Sequence, residues 1–193
     1  MIKLRYKNLI KPILDHLFAL SLFCLGLPLF LLVILLIKLD SVGPALYTQE
    51  RVGKDGKHFK IYKFRTMRAD ADTTGPDLTE ENDPRVTRVG RWLRRSSADE
   101  LPQLLNILKG EMSFIGPRPE IPRIVATYTP LQRSVLSVLP GLSGWAQVHG
   151  RDALSIPEKL AYDLEYVHHQ SLGLDLLILL KTFPVLLSST GVN

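Results

Sequence analysis

The feature that most constrains the fold is an uncharged, apolar run of 21 residues at positions 17–37. A helix needs roughly 20 such residues to cross the hydrocarbon core of a bilayer. A cleaved signal peptide is the first alternative, but the run is long and no small-residue cleavage site follows it. The sequence therefore predicts a retained membrane anchor over residues 1–40.

Two features of this anchor bear on its topology. Gly26, Leu27 and Pro28 lie at the centre of the run, where a proline removes a helical hydrogen bond and kinks the helix. Basic residues flank both ends, so the distribution of positive charge gives no clear orientation. A re-entrant helix, broken near Pro28 and returning to the same face, would explain both features. An ordinary kinked span is the alternative.

The charge balance limits the classes of partner. The chain of 193 residues is long enough for one core, and its net charge of +5 comes from 24 basic and 19 acidic residues. This mixture does not form a basic tail for nucleic acid, and it suits an anionic membrane surface or substrates that carry phosphate. The single cysteine, Cys24, excludes a disulfide framework and a cysteine-rich metal site, which fits a cytoplasmic setting.

Alternation of apolar and polar residues predicts a β-hairpin over residues 45–64, with Asp55-Gly56 as its turn. Lys63 and Arg65 lie at the end of its second strand, either on a solvated face or in a basic site. Residues 69–88 lack an apolar period and predict a long surface loop. Residues 121–139 predict one or two helices.

Two further helices are predicted near the end of the sequence. The first is amphipathic and covers residues 156–169, and its terminal His168 and His169 are expected at the surface because they lack the spacing of a zinc pair. The second covers residues 172–187. Its apolar length, broken by Asp175 and Lys181, suits a helix lying in the membrane interface with Lys181 extended toward water.

The main candidate for chemistry is the acidic pair Asp99-Glu100, which lies between the arginines of residues 91–95 and Arg118. Adjacent carboxylates raise each other's pKa unless cations, a metal or helix N–H groups offset the repulsion. A helix beginning near Asp99 would supply such N–H groups and favour a phosphate nearby. The structural alternative is a capping box formed by Ser97 and Glu100, with no chemical role.

Two arginines occupy turns that suit phosphate binding. Arg118 is flanked by prolines in the Gly-Pro-Arg-Pro segment at 116–119, so its guanidinium can bind phosphate bidentately at small entropic cost. Arg151 follows the glycine-containing segment at 144–150, where small residues permit close approach of the backbone.

Five motifs cover nearly the whole chain. They are QERVG at 49–53, YKFRTM at 62–67, DELPQ at 99–103, GPRP at 116–119 and GWAQV at 144–148. Together and in this order they closely resemble the bacterial sugar transferases, the small monotopic phosphoglycosyl transferases that load a phosphosugar onto a polyprenyl phosphate. Family members often have Ser-Pro at the break of the membrane helix, whereas this chain has Leu27-Pro28.

The resemblance implies an α+β, mostly helical fold. Its expected parts are a re-entrant N-terminal membrane helix, a small β-hairpin, and amphipathic interfacial helices around an active site at the cytoplasmic face of the bacterial inner membrane. The catalytic domain is expected over residues 41–193, including the interfacial helix at 172–187. Apolar faces near the membrane would also allow a homodimer.

The resemblance also implies a reaction. The donor is a UDP-sugar and the acceptor is undecaprenyl phosphate in the membrane. Asp99 is the expected nucleophile, which forms an aspartyl-phosphosugar and releases UMP, and Glu100 is the expected ligand of Mg²⁺. Asp175 is expected close to the catalytic pocket, as a second candidate metal ligand. The expected phosphate-binding side chains are Lys63, Arg65, Arg94, Arg118 and Arg151.

Two alternatives stay open at this point. The first is direct transfer in a ternary complex, with Asp99 as a base or metal ligand. The second is a non-catalytic, membrane-anchored module that binds phosphate or lipid, which would keep the basic residues without needing the Asp99-Glu100 pair. The sequence does not identify the sugar or the glycan.

Overall fold

Helices dominate the structure, a computed structural model that describes residues 5–71, 83–150 and 153–188. The α-helices are α1 (Lys11–Asp40), α2 (Arg88–Arg95), α3 (Leu104–Leu108), α4 (Pro122–Val125), α5 (Ile156–His169) and α6 (Leu172–Ser188). The strands are β1 (Leu46–Val52), β2 (His58–Phe64), β3 (Ser113–Ile115) and β4 (Gly141–Ser143). Short 3₁₀ segments lie at Lys54–Gly56, Ala98–Gln103, Gln132–Ser137 and Gln147–His149, and a π-helical turn at Tyr6–Ile10 precedes α1. The prediction of a mostly helical α+β fold is confirmed.

The predicted anchor is one continuous helix. Together with the preceding turn it covers Tyr6–Asp40, which is long and apolar enough to cross a membrane. Pro28 lies inside α1, where its missing N–H permits a kink within the continuous helix, and the break expected near Pro28 stays a prediction. A proline costs only the hydrogen bond that its missing N–H would have donated, and the turns on either side keep theirs. Re-entrance itself stays a prediction.

One stripe of α1 packs on the rest of the protein. Ala19, Phe30, Val33 and Ile37 are buried in a core that also contains residues of β2 and α3. The rings of Phe30 and Phe64 meet edge to face with centroids 5.4 Å apart. The remaining faces carry exposed leucines, and Leu25 is 81% exposed. This distribution matches a helix with one protein-facing stripe and a surface suited to lipid.

Strands β1 and β2 form the predicted hairpin. They pair antiparallel from Leu46 opposite Phe64 to Val52 opposite His58. Asp55 sits in the turn with φ of 56°, a left-handed conformation that aspartate tolerates better than most residues. The hairpin directs Lys63, near the end of β2, toward the acidic pair.

A short parallel pair, β3 with β4, supports the Gly-Pro-Arg-Pro turn at 116–119. The Gly116 amide donates to the Ser143 carbonyl at 2.9 Å, and the Gly141 amide donates to the Pro117 carbonyl at 2.8 Å. A side chain on Gly141 would collide with the Gly116 backbone, so the close crossing needs glycine. The turn that presents Arg118 is therefore fixed on both sides.

The helical prediction for residues 121–139 holds only in part. The structure has the single turn of α4 and a 3₁₀ segment at Gln132–Ser137. Pro130 explains the interruption, because a proline disfavours helical geometry in the residue before it. Helix α5 has its predicted bounds, and His168 and His169 are exposed as expected. Lys181 of α6 lies 4.9 Å from the ring centroid of Trp145, where we expected it to extend toward water.

Candidate active site

The acidic pair lies in the 3₁₀ segment Ala98–Gln103, which continues into α3. Ser97 has a left-handed backbone, with φ of 54°, and it turns the chain sharply between α2 and this segment. Its side chain makes no capping hydrogen bond, and the Glu100 carboxylate binds elsewhere. The capping-box alternative is therefore wrong.

Glu100 is held by two cations. Lys63 Nζ donates to Glu100 Oε1 at 2.8 Å, and an Arg118 guanidinium nitrogen donates to the same oxygen at 3.1 Å. Burial alone would raise the pKa of Glu100, but the charges and hydrogen bonds of Lys63 and Arg118 lower it well below its usual range. Glu100 is thus a fixed carboxylate anion.

Asp99 differs sharply from its neighbour. Within the described part of the chain, no donor forms a hydrogen bond with its carboxylate. Burial raises the pKa of Asp99 to about 6, and the negative charge of Glu100 adds to this rise. The positive charges of Lys63, Arg94 and Arg118 oppose it. Asp99 is therefore an uncommitted carboxylate, ionised at neutral pH and surrounded by positive charge.

Arg94 completes the cation cluster. It comes from α2, where its Nε donates to the Thr66 hydroxyl at 3.0 Å. Helix α2 can lie this close because Gly90 has no side chain, and a Cβ there would collide with the Thr66 carbonyl. Burial lowers the pKa of Arg94 and the Asp99 charge opposes that shift, so the guanidinium lies within the field of the acidic pair.

Two residues that position the cluster were not assigned any role from the sequence. Arg51 donates to the Pro119 carbonyl at 3.0 Å and lies 3.8 Å from the Glu120 carboxylate, which ties the hairpin to the Gly-Pro-Arg-Pro turn. Asn106, fully buried, accepts from the Tyr62 amide at 3.1 Å and donates to the Lys60 carbonyl at 2.8 Å. Arg51 lies within the QERVG motif, which was the only signal available.

Two predicted site residues, Arg65 and Asp175, are not joined to this cluster. Arg65 is buried and donates to the Val42 carbonyl at 2.7 Å and to the Ser41 carbonyl at 2.8 Å. These contacts join the end of β2 to the residues that follow α1. They occupy the guanidinium that we expected to bind phosphate. Arg151 lies outside the described residues.

The second is Asp175, which the structure places in a separate polar cluster. Its carboxylate accepts from the Tyr6 hydroxyl at 2.6 Å, from Lys11 Nζ at 2.7 Å and from the Tyr166 hydroxyl at 2.8 Å. These contacts join the start of α1 to α5 and α6. With three donors bound to its two oxygens, Asp175 is poorly suited to a metal in this arrangement.

The chemistry of the acidic pair fits a shared magnesium ion. Across residues 5–71, 83–150 and 153–188, no group of three metal-binding side chains occurs. Mg²⁺ commonly takes one or two protein carboxylates and completes its shell with substrate phosphate and water. Asp99 and Glu100 offer such a pair, since both donors to Glu100 use Oε1 and leave Oε2 available.

Comparison with known proteins now decides the family. The sequence profile described as bacterial sugar transferase matches residues 6–189, nearly the whole chain. The chain belongs to the bacterial sugar transferase family.

Curated relatives of this sugar transferase have informative names. A UDP-N-acetylgalactosamine-undecaprenyl-phosphate N-acetylgalactosaminephosphotransferase of Aeromonas hydrophila is 44% identical over 86% of the chain, which spans 41% of that protein. A UDP-glucose:undecaprenyl-phosphate glucose-1-phosphate transferase of Caulobacter vibrioides is 44% identical over 94% of the chain and 71% of its own length. An uncharacterized sugar transferase of Bacillus subtilis is 41% identical over 96% of the chain and 91% of its own length. The two relatives with named substrates are phosphoglycosyl transferases.

Proposed function

We propose that this sugar transferase moves a sugar 1-phosphate from a UDP-sugar to undecaprenyl phosphate, with Asp99 as the nucleophile. One observation carries the proposal: the Asp99 carboxylate accepts no hydrogen bond from the described residues, whereas Oε1 of the neighbouring Glu100 accepts from both Lys63 and Arg118. A carboxylate that accepts no hydrogen bond keeps its lone pairs available for attack. The substrates come from the names of the two characterised relatives.

The reaction has two balanced steps. An Asp99 carboxylate oxygen attacks the sugar-bearing phosphorus of the donor, and the bond to the bridging oxygen breaks, which releases UMP. The phosphate oxygen of undecaprenyl phosphate then attacks the same phosphorus, and the bond to Asp99 breaks. The products are a polyprenyl diphosphate sugar and the free carboxylate, so no proton or redox partner is needed.

The chain supplies the electrostatic environment for both steps. Arg118 and Lys63 hold Glu100, and with Arg94 they provide three positive groups to neutralise the charge on the transferring and leaving phosphates. A magnesium ion held by Asp99 and Glu100 would add a further positive charge at the diphosphate. Because prolines flank Arg118, its guanidinium is oriented before substrate binds.

We also propose that α1 is re-entrant and that the site faces the cytoplasm. Near its start, Lys11 binds Asp175, and at its end Asp40 accepts from the Val89 amide at 2.9 Å. A helix that spans the membrane separates its ends by the hydrocarbon core of about 30 Å. Contact of both polar ends with the same catalytic domain favours entry and exit at one face.

Helix α6 would lie in the same interface. Leu172, Leu176, Leu177, Leu180 and Phe183 are exposed along it, and their positions form an apolar surface suited to acyl chains. A domain docked in this way brings a water-soluble nucleotide sugar and a membrane-bound acceptor to one pocket.

Mass spectrometry of the intact protein tests the proposal. The protein is incubated with Mg²⁺ and separate UDP-sugars, beginning with UDP-N-acetylgalactosamine and UDP-glucose, in the absence of lipid acceptor. We expect a mass gain of one phosphosugar, lost in Asp99→Asn and kept in the control Asp55→Asn, whose turn geometry asparagine also tolerates. No adduct with any donor, together with UMP release once undecaprenyl phosphate is added, would support direct transfer. No product in either assay would favour the binding module.

A further inference from the structure

A polar cleft of about 450 Å³ lies apart from the active site that contains the acidic pair. It is formed by the turns that precede the apolar part of α1, the hairpin loop, residues 137–139 and the residue that follows α5. Its polar lining includes Lys7, Asn8, Lys11, Asp15, Lys54 and Gln170. None of the five side chains placed in the active site lines it. The volume is in the range of small-ligand sites.

The cleft has a cationic side. Lys11 is neutralised by Asp175, its partner at 2.7 Å. Lys7 Nζ donates to the Val167 carbonyl at 3.1 Å, which leaves its charge and its other donors available. Neither Lys7 nor Lys54 forms an ion pair with any carboxylate among residues 5–71, 83–150 and 153–188. These two lysines can therefore bind an anionic group.

The cleft also has two unsatisfied acceptors. Gln170 is 4% exposed, and its Nε2 donates to the Tyr166 hydroxyl at 3.3 Å while Oε1 has no partner. This amide orientation is the consistent one, because the Tyr166 hydrogen is used toward Asp175 and only its lone pairs remain. Asp15 is 6% exposed, and its Oδ2 accepts no hydrogen bond. Lys11 Nζ lies 4.0 Å from this oxygen but donates to Asp175 at 2.7 Å, so one lysine faces two carboxylates. Buried acceptors of this kind call for a donor from a ligand, and a carboxylate favours a cationic one.

The position of the cleft points to lipid. Lys7, Lys11 and Asp15 lie on the turns that directly precede the apolar run at 17–37, so they lie at the level of the headgroups. On the same turns, Leu9 and Ile13 are 54% and 51% exposed, which provides apolar surface beside the cleft.

We propose that this cleft binds the headgroup of a phosphatidylethanolamine. The phosphate binds Lys7 and Lys54, and the ammonium group donates to Asp15 Oδ2 and Gln170 Oε1. Phosphatidylcholine carries the same charges, but its trimethylammonium group has no N–H to donate. Phosphatidylglycerol has the phosphate and hydroxyl groups without a cation for Asp15. The inference needs membrane association alone and is independent of the transfer chemistry.

Native mass spectrometry of the full chain, released from nanodiscs of equal parts phosphatidylethanolamine, phosphatidylcholine and phosphatidylglycerol, tests the site. We expect at least fivefold preferential retention of phosphatidylethanolamine. Lys54→Ala should lower total retained phospholipid severalfold, whereas Lys57→Ala, an exposed lysine of the same loop outside the cleft, should not. Gln170→Met should reduce the preference over phosphatidylcholine toward unity. Asp99→Asn should retain lipid like the wild type, whatever its activity.

Three results would overturn the assignment. Equal retention of the three lipids means that the acceptors do not select an ammonium group. Equal effects of Lys54→Ala and Lys57→Ala place the phosphate elsewhere. Displacement of the lipid by millimolar inorganic phosphate, which has no ammonium group, means that a soluble phosphate compound is the ligand.

Discussion

At the scale of single residues, the two members of the acidic pair have opposite environments although they are neighbours in sequence. Glu100 is fixed by Lys63 and Arg118, while Asp99 accepts no hydrogen bond from the described residues. Environments that push two carboxyl pKa values apart assign them different roles. Here they favour Asp99 as the reacting group and Glu100 as the fixed anion.

The raised pKa of Asp99 predicts the pH profile of the reaction. Burial raises that pKa to about 6, so below this pH the nucleophile is protonated. We expect kcat/KM to fall about tenfold per pH unit below that midpoint. Lys63→Gln should shift the midpoint upward, because the Lys63 charge lowers the pKa of Asp99. Lys60→Gln, an exposed position on the same strand, is the control. An unchanged midpoint in Lys63→Gln would contradict the assignment of this titration to Asp99.

Substitution of two arginines near the site should have different effects, one on stability and one on activity. Arg65→Ala removes three hydrogen bonds to Ser41 and Val42 and should lower the free energy of unfolding by about 2–4 kcal/mol. Arg94→Ala should lower kcat/KM by about 100-fold or more with a smaller change in stability, because it removes positive charge near the transferring phosphate. Thermal denaturation and steady-state kinetics separate the two. A purely kinetic defect in Arg65→Ala would restore it to the phosphate site.

At the scale of elements, close contact between α2 and the end of β2 positions Arg94. Gly90→Ala places a Cβ against the Thr66 carbonyl and should destabilise the fold by about 1–3 kcal/mol while displacing Thr66, the partner of Arg94. Gly173→Ala, which has open space around it in α6, should be stabilising by about 0.5–1 kcal/mol. Melting temperatures of both variants check the contrast, and equal effects would contradict the close packing.

Helix α5 contributes a buried carboxyl behind the Gly-Pro-Arg-Pro turn. Asp163 lines a cavity of about 20 Å³ with Glu120, Arg118 and Tyr128. Burial raises the pKa of Asp163 to about 8; Glu120 adds to the rise and Lys159 opposes it. The native state then binds more protons than the unfolded state between about pH 4 and pH 8, so stability falls as pH rises through that window.

Removing this titration should change the pH dependence of unfolding. Between pH 6 and pH 8 the free energy of unfolding of the wild type should fall by up to about 2–3 kcal/mol, whereas that of Asp163→Asn should not show this fall. Denaturant unfolding at several pH values measures the difference between the two proteins, which cancels groups that titrate in both. A difference that is constant with pH would mean that Asp163 titrates outside this window.

The sequence predicted the elements better than their contacts. The hairpin and α5 follow from alternation and amphipathic spacing, which are local properties. Lys63 and Arg118 could be assigned to the acidic pair because they lie in motifs of the family. The partners of Arg65 and Asp175 could not be predicted from the sequence. They depend on where the two ends of α1 contact the rest of the protein. No local pattern encodes such long-range contacts.

At the scale of the whole molecule, a re-entrant α1 has both of its ends on one side of the membrane. In a Cys24→Ser background, cysteines placed at Arg5 and Lys57, both exposed, would report the two sides. We expect both to be protected from an impermeant maleimide in spheroplasts and labelled after lysis. Labelling of one position only in intact spheroplasts would show a spanning helix.

Location of the covalent phosphosugar tests the central claim most directly. The protein, trapped with a UDP-sugar and Mg²⁺ in the absence of acceptor, is digested, and the modified peptide is sequenced by tandem mass spectrometry. We expect the phosphosugar on Asp99, with loss of the adduct when undecaprenyl phosphate is added. An adduct on Glu100 or another residue, or UMP formation that begins only with acceptor and leaves every peptide unmodified, would contradict it.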